Sequence, residues 1–308
     1  MLLTGGSGQV GRALFPLLKE LGEVFAPSRS QLDLSSESSL RAAVRTFEPS
    51  IIVNAAAHTA VDRAESEPEL AQRINGDAPA ILAEEALRLH SLLVHYSTDY
   101  VFDGTKRTPY REDDPTGPLN VYGRTKLLGE QGVAAAGGAY FVLRTGWVYA
   151  SRGRNFLLTM LRLGAEREEL RVVDDQVGTP TPADSLADAT LNILERVCGG
   201  SSDAYESARS LSGIYHAGCE GEVSWFQFAL AIFTQARNSD LGARLKVSQV
   251  LPISTEEHPT AAQRPRYSVL SKEKIRRTFH LEPVSWQDGL ARVMHQCAQP
   301  APMKESMR

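Results

Sequence analysis

An α/β fold built on a doubly wound parallel sheet, with a smaller interleaved α/β lobe, is predicted by three observations. A glycine cluster, "TGGSGQVG", lies between an apolar strand and an amphipathic helix at the start of the chain. Four further strand-like stretches follow: "EVFAPS" (23–28), "SIIVNAAA" (50–57), "SLLVHYST" (91–98) and "AYFVLRTG" (139–146). The last three are continuous apolar runs, the mark of strands covered on both faces in a parallel sheet. Helical segments separate them, and strands alternating with helices build βαβ units.

The elements follow in order. "MLL" opens the first strand and runs directly into the glycines. It has only three residues ahead of Thr4, so a native start a few residues upstream is an expectation. Val10, Ala13, Leu14, Leu17, Leu18 and Leu21 then recur at helical spacing. Pro16 inside that helix predicts a kink. A helix over about 36–47 is closed by Glu48-Pro49. Past residue 150 the pattern changes. "NFLLTMLRLGAE" reads as a helix and "LRVVDD" as a short strand. The segments 182–197 and 213–218 read as further pieces built onto the sheet. Helices are predicted near 224–235 and 285–297. The expected division is one unit of 1–150 plus about 182–218, and a second of about 151–181 and 219–298. Residues 299–308 show no periodicity and are expected to be disordered.

Bulk composition narrows the function classes. The chain of 308 residues is long enough for a large core, and 42% hydrophobic with 23% charged residues describes an ordinary globule. A net charge of −4 gives no reason to expect nucleic acid or an anionic membrane as partner. No apolar run approaches a membrane span, and no secretory signal opens the chain. Cys198, Cys219 and Cys297 are scattered, which suits a reducing cytoplasm and argues against a disulfide framework. The seven His include no closely spaced pair, so no catalytic metal is expected.

Gly5, Gly8 and Gly11 stand at three-residue intervals between strand and helix. Glycines permit a tight turn and let the backbone approach a pyrophosphate, which the helix N-terminus then receives. The setting is that of a Rossmann-type dinucleotide site, although the spacing differs from G-x-G-x2-G. After the second predicted strand the chain reads "PSRSQ", with Arg29 and no acid before Asp33. An Arg there suits a ribose 2′-phosphate, so NADPH is favoured over NADH, which is possible as a second cofactor. Asp33 serves either to cap the next helix or to line the adenine pocket.

In "NVYGRTKLLGE" (120–130), Asn120 reads as a helix cap, and Tyr122 and Lys126 fall four residues apart on one helix face. An ammonium beside a phenol favours the phenolate and makes a proton donor near neutral pH. The spacing alone arises by chance and decides nothing without a cofactor and a carbonyl.

The glycine loop, "VNAAA", "YSTDYVFDG" and Tyr-x3-Lys occur in this order, and together they resemble the extended short-chain dehydrogenase/reductase family. "VNAAAHTAVDRAESEPELA", "VHYSTDYVFDGT", "PLNVYGRTKLLGE", "RTGWVYA", "NFLLTMLRL", "VVDDQVGTPT" and "QRPRYSVL" narrow this to its dTDP-4-dehydrorhamnose reductase branch. The resemblance covers nearly the whole chain. It implies an NADPH-dependent reduction of a sugar C4 ketone, with a nucleotide-sugar as the partner and the chain a monomer or homodimer. It implies Thr98, Tyr122 and Lys126 as the catalytic triad. Gly8, Gln9 and Val10 would contact the pyrophosphate, Asp33 and Leu34 the adenine. Ala57, His58, Thr59 and Tyr96 would line the cofactor site, and Asp99 and Trp147, with Thr98, the sugar site. Arg264 falls where the second lobe would close over the nucleotide, in either a diphosphate-binding or an interdomain role. Gly146 stands where this branch leads one to expect Ser, and Arg266 and Tyr267 where smaller residues are expected. Two other readings are a reductase of another nucleotide-linked 4-keto-deoxysugar and a non-catalytic NADP-binding regulatory subunit.

Overall fold

The computed structural model describes residues 1–199 and 204–299, so the tail expected to be disordered lies, beyond Gln299, outside the described residues. In chain order the elements are β1 (Leu2–Thr4), α1 (Gln9–Leu21), α2 (Glu37–Phe47), β2 (Ile51–Asn54), α3 (Val61–Ala64) and α4 (Pro68–Gln72). A π-helical turn (Arg73–Asp77) leads into α5 (Ala78–Leu89), then β3 (Leu92–Thr98), α6 (Val121–Ala136), β4 (Tyr140–Thr145) and β5 (Val148–Tyr149). There follow α7 (Phe156–Glu166), β6 (Glu169–Val173), β7 (Val177–Gly178), β8 (Thr181–Pro182), α8 (Ala183–Cys198), α9 (Ala204–Ser210) and β9 (Gly213–His216). The last are β10 (Val223–Ser224), α10 (Trp225–Arg237), β11 (Gln249–Ile253), α11 (Glu273–Phe279) and α12 (Trp286–Ala298).

The central sheet is parallel throughout, in the order β1-β2-β3-β4-β9. Its strands alternate side chains between two apolar layers, as the period of two requires. Leu3, Val53, Val94 and Phe141 pack on one face against Leu14 and Leu18 of α1 and Leu186, Ile193 and Leu194 of α8. Leu2, Ile52, Leu93 and Val142 pack on the other against Leu40 and Val44 of α2, Leu82 and Ala86 of α5 and Val133 of α6. This is a doubly wound sheet with helices on both sides. A second core joins α7, α10 and α12 to the parallel pair β6–β11 through Leu157, Phe228, Ile232, Phe233 and Leu290.

Local chemistry sets the boundaries. Ser36 caps α2 by accepting from the Ser39 N–H, and Glu48 closes it in the left-handed region just before Pro49. Asn120 caps α6 by accepting from the Gly123 N–H at 2.8 Å, and Asn155 caps α7. The helix α1 runs through Pro16 from Gln9 to Leu21 without a break.

Two expectations change. The stretch 23–28 is not a strand: Phe25 makes one parallel bridge to Leu2, and the chain then turns, with Ser28 O accepting from Gln31 and Leu32. Pro27, which has no N–H for a ladder, ends the pairing. The segment 219–298 does not stay in one unit, because Ile275 and Phe279 of α11 return to the first sheet's core. Of the pieces read as sheet-building, 182–197 is the covering helix α8 and 213–218 contains the edge strand β9.

Candidate active site

The edge segment at Phe25 and the strand β2 lie on opposite sides of β1. The order in which the chain adds to the sheet therefore reverses at β1, and such a switch point leaves a crevice beyond the strand ends. A cleft of about 850 Å³ opens there. The glycine loop forms its floor. Gly5 has φ +70°, and a Cβ on it would lie 2.7 Å from the Ala56 backbone N. Gly8, the cap residue of α1, brings no side chain to satisfy the first N–H groups of that helix. Those donors and the positive end of the helix remain available to an anion. Gly11 does not line the cleft. It packs behind the loop, where a Cβ would come within 2.2 Å of Gly5 O.

Every other residue expected from the sequence to contact cofactor or substrate reaches this one cleft. Gly5, Gly8, Gln9 and Val10 come from the loop, and Arg29, Asp33 and Leu34 from the turn after Phe25. Ala57, His58 and Thr59 follow β2; Tyr96, Thr98 and Asp99 end β3; Tyr122 and Lys126 ride on α6; Trp147 follows β4. Asp33 accepts from the Ser35 N–H and hydroxyl, which hold its carboxyl below the usual range. Arg264 is outside the cleft. It pairs with Asp62 of α3 at 2.7 Å.

The reactive groups sit on a tightly packed helix. A Cβ on Gly129 of α6 would lie 2.2 Å from Asn75 O in the π-helical turn, so the helix and the turn meet backbone to backbone. Asn75 also accepts from the His58 N–H at 2.8 Å and donates to His58 O at 3.1 Å and to Thr125 of α6 at 3.3 Å. One amide thus ties the cleft wall after β2 to the helix bearing Tyr122. The His58 ring pairs through Nε2 with Glu67 at 3.1 Å, while its buried Nδ1 has no partner.

Tyr122 and Thr98 line the same cleft. Thr98 donates to Asp99 Oδ1 at 3.1 Å and accepts from the Tyr100 N–H at 3.2 Å. Burial raises the Asp99 carboxyl to about 6, against the opposing effect of the Thr98 hydroxyl. Burial also raises the Tyr122 phenol to about 12. That is opposite to the lowering expected from Lys126. The position of the nitrogen explains it: Lys126 Nζ turns to β3, donating to Tyr96 O at 2.6 Å and lying 3.2 Å from His95 Nε2. Burial lowers Lys126 to about 7. Tyr96 reaches the cleft, but its hydroxyl bonds Thr190 of α8 at 2.5 Å.

Several cleft residues escaped the sequence reading. Trp225 of α10 stacks flat on Trp147, with centroids 3.4 Å apart and planes at 2°. Trp147 itself holds φ at +51°, a strained backbone for a bulky residue. Arg154 reaches the cleft from the loop before α7, and Asn155 beside it donates to Gln9 at 2.8 Å, joining the second lobe to the glycine loop. A basic run, "SRGRNF", was the only local signal. Among the described residues no group of three or more His, Cys, Asp or Glu is gathered as a metal would need. No helix among them is long and apolar enough to cross a membrane.

The doubly wound sheet, the glycine loop at its first crossover and the Tyr-x3-Lys helix facing it define a Rossmann-type protein of the short-chain dehydrogenase/reductase kind. Residues 1–299 match the family described as RmlD substrate binding domain, and the chain belongs to that family. It is 46% identical to a dTDP-4-dehydrorhamnose reductase of Burkholderia thailandensis, over 93% of this chain and 95% of the relative. To the enzyme of that name from Escherichia coli it is 42% identical, over 96% and 97%. Among solved structures, a dTDP-4-dehydrorhamnose reductase of Bacillus anthracis in complex with NADP superposes with a TM-score of 0.82 at 36% identity, covering 96% of this chain and 98% of that one. One from Clostridium acetobutylicum reaches 0.85 at 35% identity, covering 97% and 99%.

Proposed function

We propose that the chain catalyses the NADPH-dependent reduction of the C4 ketone of dTDP-4-dehydro-β-L-rhamnose, giving dTDP-L-rhamnose. The observation that carries this reading is the meeting of Tyr122, Thr98 and Lys126 with the glycine loop in one cleft. The residues fit the dinucleotide: the loop offers uncapped N–H groups to a pyrophosphate, His58 Nδ1 and Thr145 Oγ1 are buried there without partners, and Arg29 suits a 2′-phosphate. When bound, the reduced nicotinamide supplies the hydride, which no side chain can.

The chain's own residues do the rest. Tyr122 protonates the sugar oxygen. The bond from Thr98 to Asp99 Oδ1 and the one from the Tyr100 N–H fix the Thr98 hydroxyl in the cleft that Tyr122 also lines, so an arriving ketone oxygen meets positioned hydroxyls. Lys126, which lines the cleft, would hold the nicotinamide ribose. The flat face made by Trp147 and Trp225 closes the sugar end, and Asp99 Oδ2, buried and unpartnered, is free to accept from a sugar hydroxyl. The reading puts the chain in the cytoplasm, as a monomer or homodimer. Gly146, where the branch leads one to expect Ser, favours a second reading with another nucleotide-linked 4-keto-deoxysugar.

The test is one assay. NADPH and NADH are each offered with the dTDP-keto-sugar, beside Tyr122→Phe, with product stereochemistry read by NMR. Rapid NADPH oxidation that falls ~10²-fold or more in the variant is expected. Cofactor binding without oxidation would instead favour a regulatory subunit.

A further inference from the structure

The first three strands of the sheet each end an apolar run in a polar residue: Thr4, Asn54 and His95. The register pairs Thr4 with Asn54 and Asn54 with His95, so the three stand side by side across β1, β2 and β3. All three are buried to within 1%. The Ala56 N–H donates to Thr4 Oγ1 at 3.4 Å, and Thr4 donates to Asn54 Oδ1 at 2.6 Å. Asn54 Nδ2 lies 3.0 Å from His95 Nδ1, and His95 Nε2 lies 3.2 Å from Lys126 Nζ.

The directions of these bonds are determined. Turning the Asn54 amide over would give Thr4 two N–H donors and leave its own buried hydroxyl proton without an acceptor. Complete pairing of buried groups excludes that. Asn54 therefore donates to His95 Nδ1, and the ring's single proton sits on Nε2. Nε2–H then points at Lys126. An ammonium has only donors and would meet that N–H with a like dipole, whereas an amine accepts it with its lone pair.

We propose that Thr4, Asn54 and His95 form a one-way hydrogen-bond chain that makes His95 a donor to the amine of Lys126, so that Lys126 stands neutral in the cofactor-free protein and takes up its proton when the cleft is filled. His95 is thus a positioning residue acting through Lys126. The groups facing Lys126 agree. From β3 it meets His95 and Tyr96 O; on α6 its neighbours are Tyr122 and Glu130. Glu130, the nearest carboxylate, is already held by Arg144 of β4 through bonds of 2.7–3.2 Å and by Ser97. Burial draws both Lys126 and His95 down. The inference rests on the reading that Lys126 faces the cofactor, yet its test needs no turnover and so fails or succeeds separately from the reductase assay.

Nitrogen-15 NMR of the cofactor-free full chain reads both groups. The expected result is a neutral His95 protonated on Nε2 above about pH 7, where Lys126, drawn down to about 7 by burial, has lost its proton. Asn54→Leu frees the tautomer without adding charge. It should move the His95 proton toward Nδ1 and raise the proton affinity of Lys126 about tenfold or more. His95→Gln, which keeps a donor, should leave Lys126 near its parent value. A parent His95 protonated on Nδ1, or a Lys126 charged up to its ordinary alkaline range, would overturn the proposal without any variant having to fold. So would an Asn54→Leu protein with unchanged titrations.

Discussion

Gly146 offers the sharpest test of the cleft geometry. A Cβ placed there would lie 2.5 Å from Asp99 Oδ2, 2.6 Å from Cγ and 2.9 Å from Oδ1. All three are closer than non-bonded carbons and oxygens tolerate, so the carboxyl must swing away. Swinging it breaks the bond from Thr98, at 3.1 Å, to a buried and largely ionised acceptor. Such a bond contributes about 1.5–3 kcal/mol, so Gly146→Ala should lower the melting temperature by about 2–5 °C in a chain of 308 residues. Turnover should fall about tenfold as Thr98 loses the partner that aligns it with Tyr122. Gly146→Ser presents a hydroxyl to the displaced carboxylate and should recover about 1 kcal/mol of that loss. Calorimetry on the three proteins, with kcat and KM for the keto-sugar, measures both effects. If Ala and Ser variants both melt with the parent and turn over at its rate, then Asp99 does not occupy the space that Gly146 leaves, and the Thr98–Asp99 line is not what holds the site.

Two further outcomes follow from local geometry. Gly11→Ala drives a methyl to 2.2 Å from Gly5 O; NADPH affinity, by fluorescence titration, should fall at least tenfold, because the loop must open before the helix N-terminus can meet a pyrophosphate. Glu85, 2% exposed, receives Arg45, Arg41 and Arg88, whose hydrogen bonds pull its carboxyl down to about 2. A folded-state value below the unfolded one gives stability that is complete above the ordinary carboxyl range and is lost as pH falls toward 2. Glu85→Gln should therefore cost ~2 kcal/mol at neutral pH, after allowance for half-exposed guanidiniums, and the deficit should shrink on acidification in urea melts.

Legibility in the sequence followed the range of the interaction. The helix expected at 36–47 appears at Glu37–Phe47 because Ser36 and Glu48-Pro49 are signals within one turn of its ends. The glycine loop and Tyr-x3-Lys are equally local, and the sheet has to bring strand ends together, so nearly all the expected site residues converge. What was misread depends on distant partners. Tyr122 was expected to feel Lys126 from one turn away, but the Nζ is claimed by β3, some thirty residues earlier in the chain. Trp225 lies on Trp147 only because α10 folds back over the cleft, which no periodicity announces. The 23–28 stretch had strand composition but no ladder beyond Phe25. A signal did exist for the chain ending at Lys126: "LLT", "IIVN" and "LLVH" each close an apolar run with a hydrogen-bonding residue at the same height in the sheet.

Stability does not explain that signal. Thr4, Asn54 and His95 lie between two apolar layers, and a satisfied buried hydrogen bond contributes only about 0.5–1.5 kcal/mol net. Apolar residues of matching shape would serve the fold as well, since replacing both partners of a buried bond is often neutral. The sheet's neighbouring positions do so: Leu3, Val53 and Val94, one residue earlier on the same three strands, are wholly apolar and equally buried. The polar rung starts instead at Thr4, which lines the cleft, and ends on Lys126, a group with a role there. A protein free to choose apolar packing, and doing so one residue away, retains this rung for what it does to the lysine. On that argument Thr4→Val together with Asn54→Leu should cost little beyond the partners lost by the Ala56 N–H and His95 Nδ1, about 2–5 °C in melting temperature, while moving the Lys126 titration, whereas a purely structural rung would melt far lower and leave that titration unchanged.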